Sequence, residues 1–188
     1  FRRPRVRVPS SAPVFLDEAP RGSNDHGGPF FMRPMHDDKL LSRQDLLIRR
    51  ADWKHHGQTV VFTNGCFDIL HRGHVEYLQQ ARALGDVLIV GLNSDQSVRQ
   101  VKGADRPLTP EQDRVAILCA LKDVDFVTVF PEPSVETLVS AVLPDVLVKG
   151  GDYHLEAVVG RQIVEAAGGR VATLCHVEGR STTDLVSH

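Results

Sequence analysis

From Thr59 to Leu174 the chain alternates short aliphatic or β-branched runs with longer stretches of helical period, and this alternation restricts the fold more than any other feature. Thr59–Thr63, Val87–Leu92, Phe126–Phe130, Val146–Lys149 and Val171–Leu174 read as buried strands. Gly73–Leu84 reads as a helix with Val75, Leu78 and Ala81 on one face. Thr109–Lys122 reads as a helix with Thr109 as N-cap, Pro110 in the first turn, Gln112 three residues after the cap, and Val115, Leu118 and Leu121 in period. Ser134–Leu143 carries the stripe Val135, Leu138, Val139 and Val142, and Leu155–Ala167 is closed by Gly168 and Gly169. Leu40, Leu41, Leu46, Leu47 and Ile48 predict a lead-in helix, and Ser181 opens a last one. Strands separated by helices pair in parallel through crossovers, so the expected class is α/β, a doubly wound five-stranded parallel sheet. Such sheets bind ligands beyond the carboxyl ends of the strands, where the strand order reverses. Functional residues are therefore expected in 64–74, 93–106, 149–153 and 176–183. Lys102 falls on a glycine-bearing loop in this reading.

The 188 residues suffice for one domain of ordinary size. Lys and Arg total 22 against 24 Asp and Glu, a net charge of -2, which argues against a generic nucleic-acid or membrane-surface binder. No apolar run approaches the roughly 20 residues that span a bilayer. Cys66, Cys119 and Cys175 form neither a CxxC pair nor a disulfide framework, pointing to a reducing compartment and a cytoplasmic location. Residues 1–34 differ in kind. They hold six of the 11 prolines, and six arginines face only Asp17, Glu18 and Asp25. They read as a disordered or non-native tail ahead of a domain at 35–188, with Met32 or Met35 a possible internal start. Asp17, Glu18 and the prolines argue against a transit peptide.

The first strand runs into Asn64-Gly65-Cys66-Phe67-Asp68-Ile69-Leu70-His71-Arg72-Gly73-His74. Neither GxGxxG nor GxxxxGK[ST] is present, so a dinucleotide or P-loop reading fails. The HxGH string enters a helix whose free amides favour an anion. Gly73 permits close approach of backbone to ligand. His71 and His74, three apart, share a face. Two imidazoles there suit a triphosphate. HxxH without a nearby third ligand is weak for a metal.

The same string resembles the first motif of the cytidylyltransferase-like nucleotidyltransferases, whose HxGH signature is shared with the class I aminoacyl-tRNA synthetases. The resemblance continues through Gly91–Asp95, Lys102–Pro107, Glu111–Arg114, Val148–Tyr153 and Glu178–Thr183, roughly residues 52–187. NGCFDILHxGH, KGxxRP, LVKGGDY and STT together are most similar to one branch, the D-glycero-β-D-manno-heptose 1-phosphate adenylyltransferases. That domain is often fused behind a sugar kinase, for which this chain has no room, so the resemblance is to the stand-alone form.

The resemblance implies a Rossmann-like fold of the HxGH type. It implies transfer of AMP from ATP to a heptose 1-phosphate with release of pyrophosphate, with Mg²⁺ arriving on ATP and no protein metal ligands assigned. By the same resemblance His71 and His74 contact the triphosphate, Lys102 closes over it, and Cys66, Phe67 and Gly73 supply amides. Asn93, Asp95, Gly150, Gly151 and Asp152 belong to the nucleotide pocket. Ser181, Thr182 and Thr183 hold phosphate oxygens at a helix start. Asp68 and Arg114 stand at the rim, and with Arg106 and Lys149 are expected on the substrate side. Family members are commonly dimers, and no nucleic acid or membrane is expected as partner.

Read alone, each residue has a plainer meaning. Ser181 with Asp184 is equally a capping box, Gly150-Gly151 a turn, Lys102 a solvated lysine, and Cys66 a small buried residue. One departure concerns the last motif, where glycerol-phosphate cytidylyltransferases carry arginine and this chain has His176; Arg180 is the alternative source of charge. A cytidylyltransferase or FMN adenylyltransferase on the same scaffold, a silent nucleotide-sensing module, and a nucleic-acid role for the Arg-rich tail remain open alternatives.

Overall fold

The computed structural model describes residues 38–151 and 154–174; the expected tail 1–34, Asp152, and the helix opening at Ser181 lie outside them. The strands are β1 (Val60–Gly65), β2 (Val87–Asn93), β3 (Phe126–Phe130), β4 (Val146–Gly150) and β5 (Arg170–Leu174). They form one parallel sheet in the order β3-β2-β1-β4-β5. Helices are α1 (Arg43–His55), α2 (Arg72–Arg82), α3 (Asp95–Lys102), α4 (Glu111–Ala120), α5 (Glu136–Val142) and α6 (Arg161–Ala166). The chain builds outward from β1 through β2 to β3, then returns through α5 to β4 on the other side of β1. The strand order therefore reverses between β1 and β4.

Period-2 alternation sends neighbouring side chains of each strand to opposite layers. Phe62, Ile89 and Leu147 pack under α1, α5 and α6 with Trp53, Leu138, Val139 and Val164. Val61, Leu88, Val90 and Val148 pack under α2 and α4 with Leu78, Ala81, Val115 and Leu118. All seven residues of β2 are buried, as a strand covered on both faces requires. Each such side chain contributes about 1.5–3 kcal/mol by leaving water. Gly91 is needed at the centre of β2, because a Cβ there would meet Phe62 Cζ at 2.7 Å. The outer edge of β3 is covered by a short strap: Leu41 N–H donates to Val127 O and Val127 N–H to Lys39 O, both at 2.9 Å.

Several local expectations change. Residues 95–102 are helical, so Lys102 ends α3 instead of lying on a loop; Ser94 caps the helix by accepting from Ser97 N at 3.1 Å. The residue capping α4 is Pro110, with no side-chain cap hydrogen bond, and Thr109 stands one position further out with its amide donating to Asp68 at 3.0 Å. Of the face expected on α2, Leu78 and Ala81 are buried, together with Gly73 and Tyr77, whereas Val75 is 41% exposed. The helix expected over Leu155–Ala167 is a 3-10 turn, Leu155–Ala157, followed by α6. Gly160 at φ 89° breaks the two apart. Ser134 and Val135 precede α5, which begins at Glu136.

Candidate active site

The carboxyl ends of β1, β2 and β4 open onto a cleft of about 470 Å³ at the strand-order reversal. Asn64 to Asp68 form one wall and Lys149 to Gly151 the facing one, with His74, Asn93 and Lys102 between them. The chain leaves β1 through Phe67, which has a left-handed φ of 45°. A bulky residue there costs on the order of 1 kcal/mol and persists only where its surroundings fix it. Here the ring is 7% exposed and tilts against His74 with centroids 5.4 Å apart.

His71 is the N-cap of α2, in extended conformation, and its Nδ1 accepts the Gly73 amide at 3.2 Å. This bond assigns the ring proton of a neutral His71 to Nε2. The two imidazoles lie 4.0 Å apart, centroid to centroid, tilted by 42°. Two rings at the amide end of a helix are suited to holding an oxyanion. Gly73 is buried, and its amide serves His71.

Asn93 is nearly buried on the cleft floor, where its Nδ2 donates to Ser97 Oγ at 2.7 Å. Cys66 Sγ is 4.0 Å from Asn93 Oδ1. Lys149 reaches over the end of β1, with Nζ 3.5 Å from Asn64 O. Burial pushes its ammonium below the usual lysine value, and the Cys66 thiol acts in the opposite sense. Gly150 lets the wall close on Tyr77, since a Cβ would sit 2.9 Å from that ring. Tyr77 Oη lies 2.5 Å from Thr63 Oγ1 and donates to Val148 O at 3.3 Å. Burial pushes its phenol up to about 12, against the opposing pull of the Thr63 hydrogen bond.

Two expected contacts, Arg114 and Asp95, stand outside the cleft lining, and a third, Asp68, lines it while buried. Arg114 is not at the rim: it is wholly buried, donating to Thr109 O, Cys66 O and Asn93 O at 3.0, 2.7 and 2.8 Å and to Asp95 Oδ1 at 2.6 Å. It ties the ends of β1 and β2 to α4. Asp95 is bound up in that clasp. Asp68 is likewise buried, its carboxylate facing Arg106 and two amides of the 103–110 loop. Ser181, Thr182 and Thr183 fall outside the described residues.

The cleft also uses residues that the sequence reading did not select. Pro133 and Val135 line it from the β3–α5 connection, Val101 from the last turn of α3, and Tyr77 from α2. The rule that ligands meet strand ends applies to β3 as well, and would have found 131–135. Nothing in sequence marks Tyr77, which reads as an ordinary core aromatic of a helix. Among the described residues no three His, Cys, Asp or Glu side chains gather to hold a metal, and no helix is long and apolar enough to cross a membrane.

Residues 62–182 match the model of the cytidylyltransferase-like family. The chain is 56% identical over 153 residues to "Bifunctional protein HldE" of Geotalea uraniireducens, covering 81% of this chain and 31% of that protein. It is 52% identical over 151 residues to the protein of the same name from Syntrophotalea carbinolica, covering 80% and 31%. The chain thus spans about a third of the length of these curated relatives. Among solved structures it resembles a lipopolysaccharide core biosynthesis protein from Thermoplasma volcanium, with TM-score 0.55 and 30% identity over 66% of this chain and all of that one. It also shares a fold with the pantoate-beta-alanine ligase of Francisella tularensis, with TM-score 0.54 and 18% identity over 77% and 69% of the two chains.

Proposed function

The chain belongs to the cytidylyltransferase-like family of nucleotidyltransferases, and from that premise we propose that it transfers AMP from ATP to D-glycero-β-D-manno-heptose 1-phosphate, giving ADP-heptose and pyrophosphate. The observation that carries the reading is the paired imidazoles of His71 and His74, 4.0 Å apart at the start of α2, beside a cleft that opens on the strand-order reversal. The choice of sugar is supported by the motif set NGCFDILHxGH, KGxxRP, LVKGGDY and STT. A relative whose name places it in lipopolysaccharide core biosynthesis supports it too.

The reaction asks little covalent chemistry of the protein. An oxygen of the sugar phosphate, already ionised at neutral pH, attacks the α-phosphorus of ATP. The bond from that phosphorus to the α,β-bridging oxygen breaks, and pyrophosphate leaves with the electron pair. No general base is needed, so catalysis rests on alignment and on neutralising charge. His71 and His74 take the oxygens around the reacting phosphorus. Lys102, exposed at the end of α3 and lining the cleft, covers the outer phosphates. Lys149 meets an anion on the opposite wall. Gly150 and Gly151 receive the nucleoside, and Ser181, Thr182 and Thr183 close on phosphate from the last motif. Mg²⁺ accompanies ATP and offsets phosphate charge. Asp68 and Asp95 are both paired with arginines, and in this reading the cation would be held by phosphate oxygens.

The test is pyrophosphate release, crossing ATP, CTP, GTP and UTP against the β-heptose 1-phosphate, glycerol 3-phosphate and FMN. Release with ATP and the heptose phosphate alone is expected. Release with another pair refutes the substrate assignment, and nucleotide binding with no release favours a sensing module.

A further inference from the structure

Asp68 sits three residues before His71, at the foot of the cleft, yet its side chain is 1% exposed. A carboxylate so buried must find donors, and both amides that Asp68 accepts lie on one loop, while its other oxygen has only the charge of Arg106 beside it. Its Oδ1 accepts the amides of Leu108 at 2.7 Å and Thr109 at 3.0 Å. Its Oδ2 lies 2.8 Å from Arg106 Nε. That loop, 103–110, begins where Gly103 ends α3 at φ 101° and finishes at the cap of α4. Lys102 is the residue just before it, on the cleft wall. Gly103 has open space around it and the Lys102 side chain is exposed, whereas the three contacts to Asp68 bind the loop to the turn that carries the histidines.

We infer that Asp68 is a positioning residue: it fixes the 103–110 loop, and through it Lys102, in register with His71 and His74, and does not itself touch substrate or cation. This rests on the cleft being a nucleotidyl-transfer site. Asp68→Asn is the sharp variant, because it keeps the size of the side chain but puts an NH₂ against either the two amides or Arg106 Nε, donors in both cases. A displacement of Lys102 by about 1 Å then costs about 10²-fold in kcat/KM for ATP.

The experiment has two arms on the full chain. In the first, trypsin cuts native protein without substrate, and the rate of cleavage after Lys102 is compared between wild type and Asp68→Asn at matched thermal stability. The expected result is about tenfold faster cleavage in the variant, following the population of the opened loop. In the second, kcat/KM for ATP is measured for Asp68→Asn, Lys102→Ala and the double variant. Positioning through Lys102 predicts that the double variant falls within about threefold of the poorer single one, with an unchanged Mg²⁺ requirement. Multiplying losses, unchanged cleavage, or a raised Mg²⁺ requirement in Asp68→Asn would overturn the inference. Should Asp68→Asn fail to fold, Arg106→Gln removes one of the three contacts and must quicken the same cleavage. A wild type that releases no pyrophosphate with any pair refutes the proposed function, while the cleavage arm still decides on the loop.

Discussion

Arg114 donates from Nη1 to the carbonyl oxygen of Cys66 at 2.7 Å, across 48 positions of sequence. The same guanidinium spends its other donors on Thr109, Asn93 and Asp95. A charge with no exposed surface is stable only while every partner is in place. The turn that follows β1 is thereby fixed from beneath by a helix that supplies none of the residues lining the cleft. Replacing Arg114 with leucine strands three carbonyls and a carboxylate, and the expected loss is about 3–5 kcal/mol, read from denaturant midpoints at unchanged slope. A loss under about 1 kcal/mol, the range of an exposed pair, would mean that the clasp does not hold the site.

Gly91 and Phe62 test the packing behind the cleft. Alanine at 91 places a methyl 2.7 Å from Phe62 Cζ in a strand with no exposed residue. Overpacking of this kind costs about 1–3 kcal/mol. Phe62→Leu alone also destabilises, by leaving space, so the double variant Gly91→Ala, Phe62→Leu is expected to recover part of the loss. Strictly additive losses in thermal melts would show that the two positions are not in contact.

Much of this was legible in sequence, and for a physical reason. Strand identity depends on local runs: Phe126–Phe130 is found where it was expected and the other four strands begin or end within one or two residues of expectation. The HxGH turn is also local, because cap, glycine and second histidine lie within four positions. What the sequence hid depends on distant partners. Arg114 gives no local sign of burial, since three of its four acceptors, Cys66 O, Asn93 O and Asp95 Oδ1, are brought in from the ends of β1 and β2 and the start of α3. The cap expected at Thr109 falls at Pro110, and the Thr109 amide donates instead to Asp68, 41 positions away. Helix α3 has few apolar residues and was read as loop; its buried positions, Ser97 and Val98, are set by Asn93 and the sheet end.

Tyr77 gives a pH test. Its phenol is pushed from 10.0 up to about 12 by burial. Between those values the unfolded chain loses its proton while the folded one keeps it, so stability present below pH 10 declines as pH rises toward 12. Cys119, pushed from 9.0 to about 11 by burial, acts in the same sense. Lys149, held below 10.5, acts in the opposite one. Tyr77→Phe is expected to flatten the decline in melting temperature above pH 10, while at pH 7 it costs about 1–3 kcal/mol through the loss of the Thr63 hydroxyl's buried partner. An alkaline slope identical to wild type would show that the phenol titrates normally.

The paired imidazoles carry the account, and His74→Ala addresses them most directly. His74 is half-buried at the cleft, packed on Phe67 and His71. Losing one preorganised donor from an oxyanion site costs about 10²–10³-fold in kcat. The measurement is single-turnover formation of nucleotide-sugar and pyrophosphate by wild type and His74→Ala, with melting temperature and ATP binding followed in parallel. A drop of at least about 10²-fold in the chemical step, in a folded protein that still binds ATP, is the predicted result. A folded His74→Ala protein that turns over at close to the wild-type rate would contradict the assignment of this site.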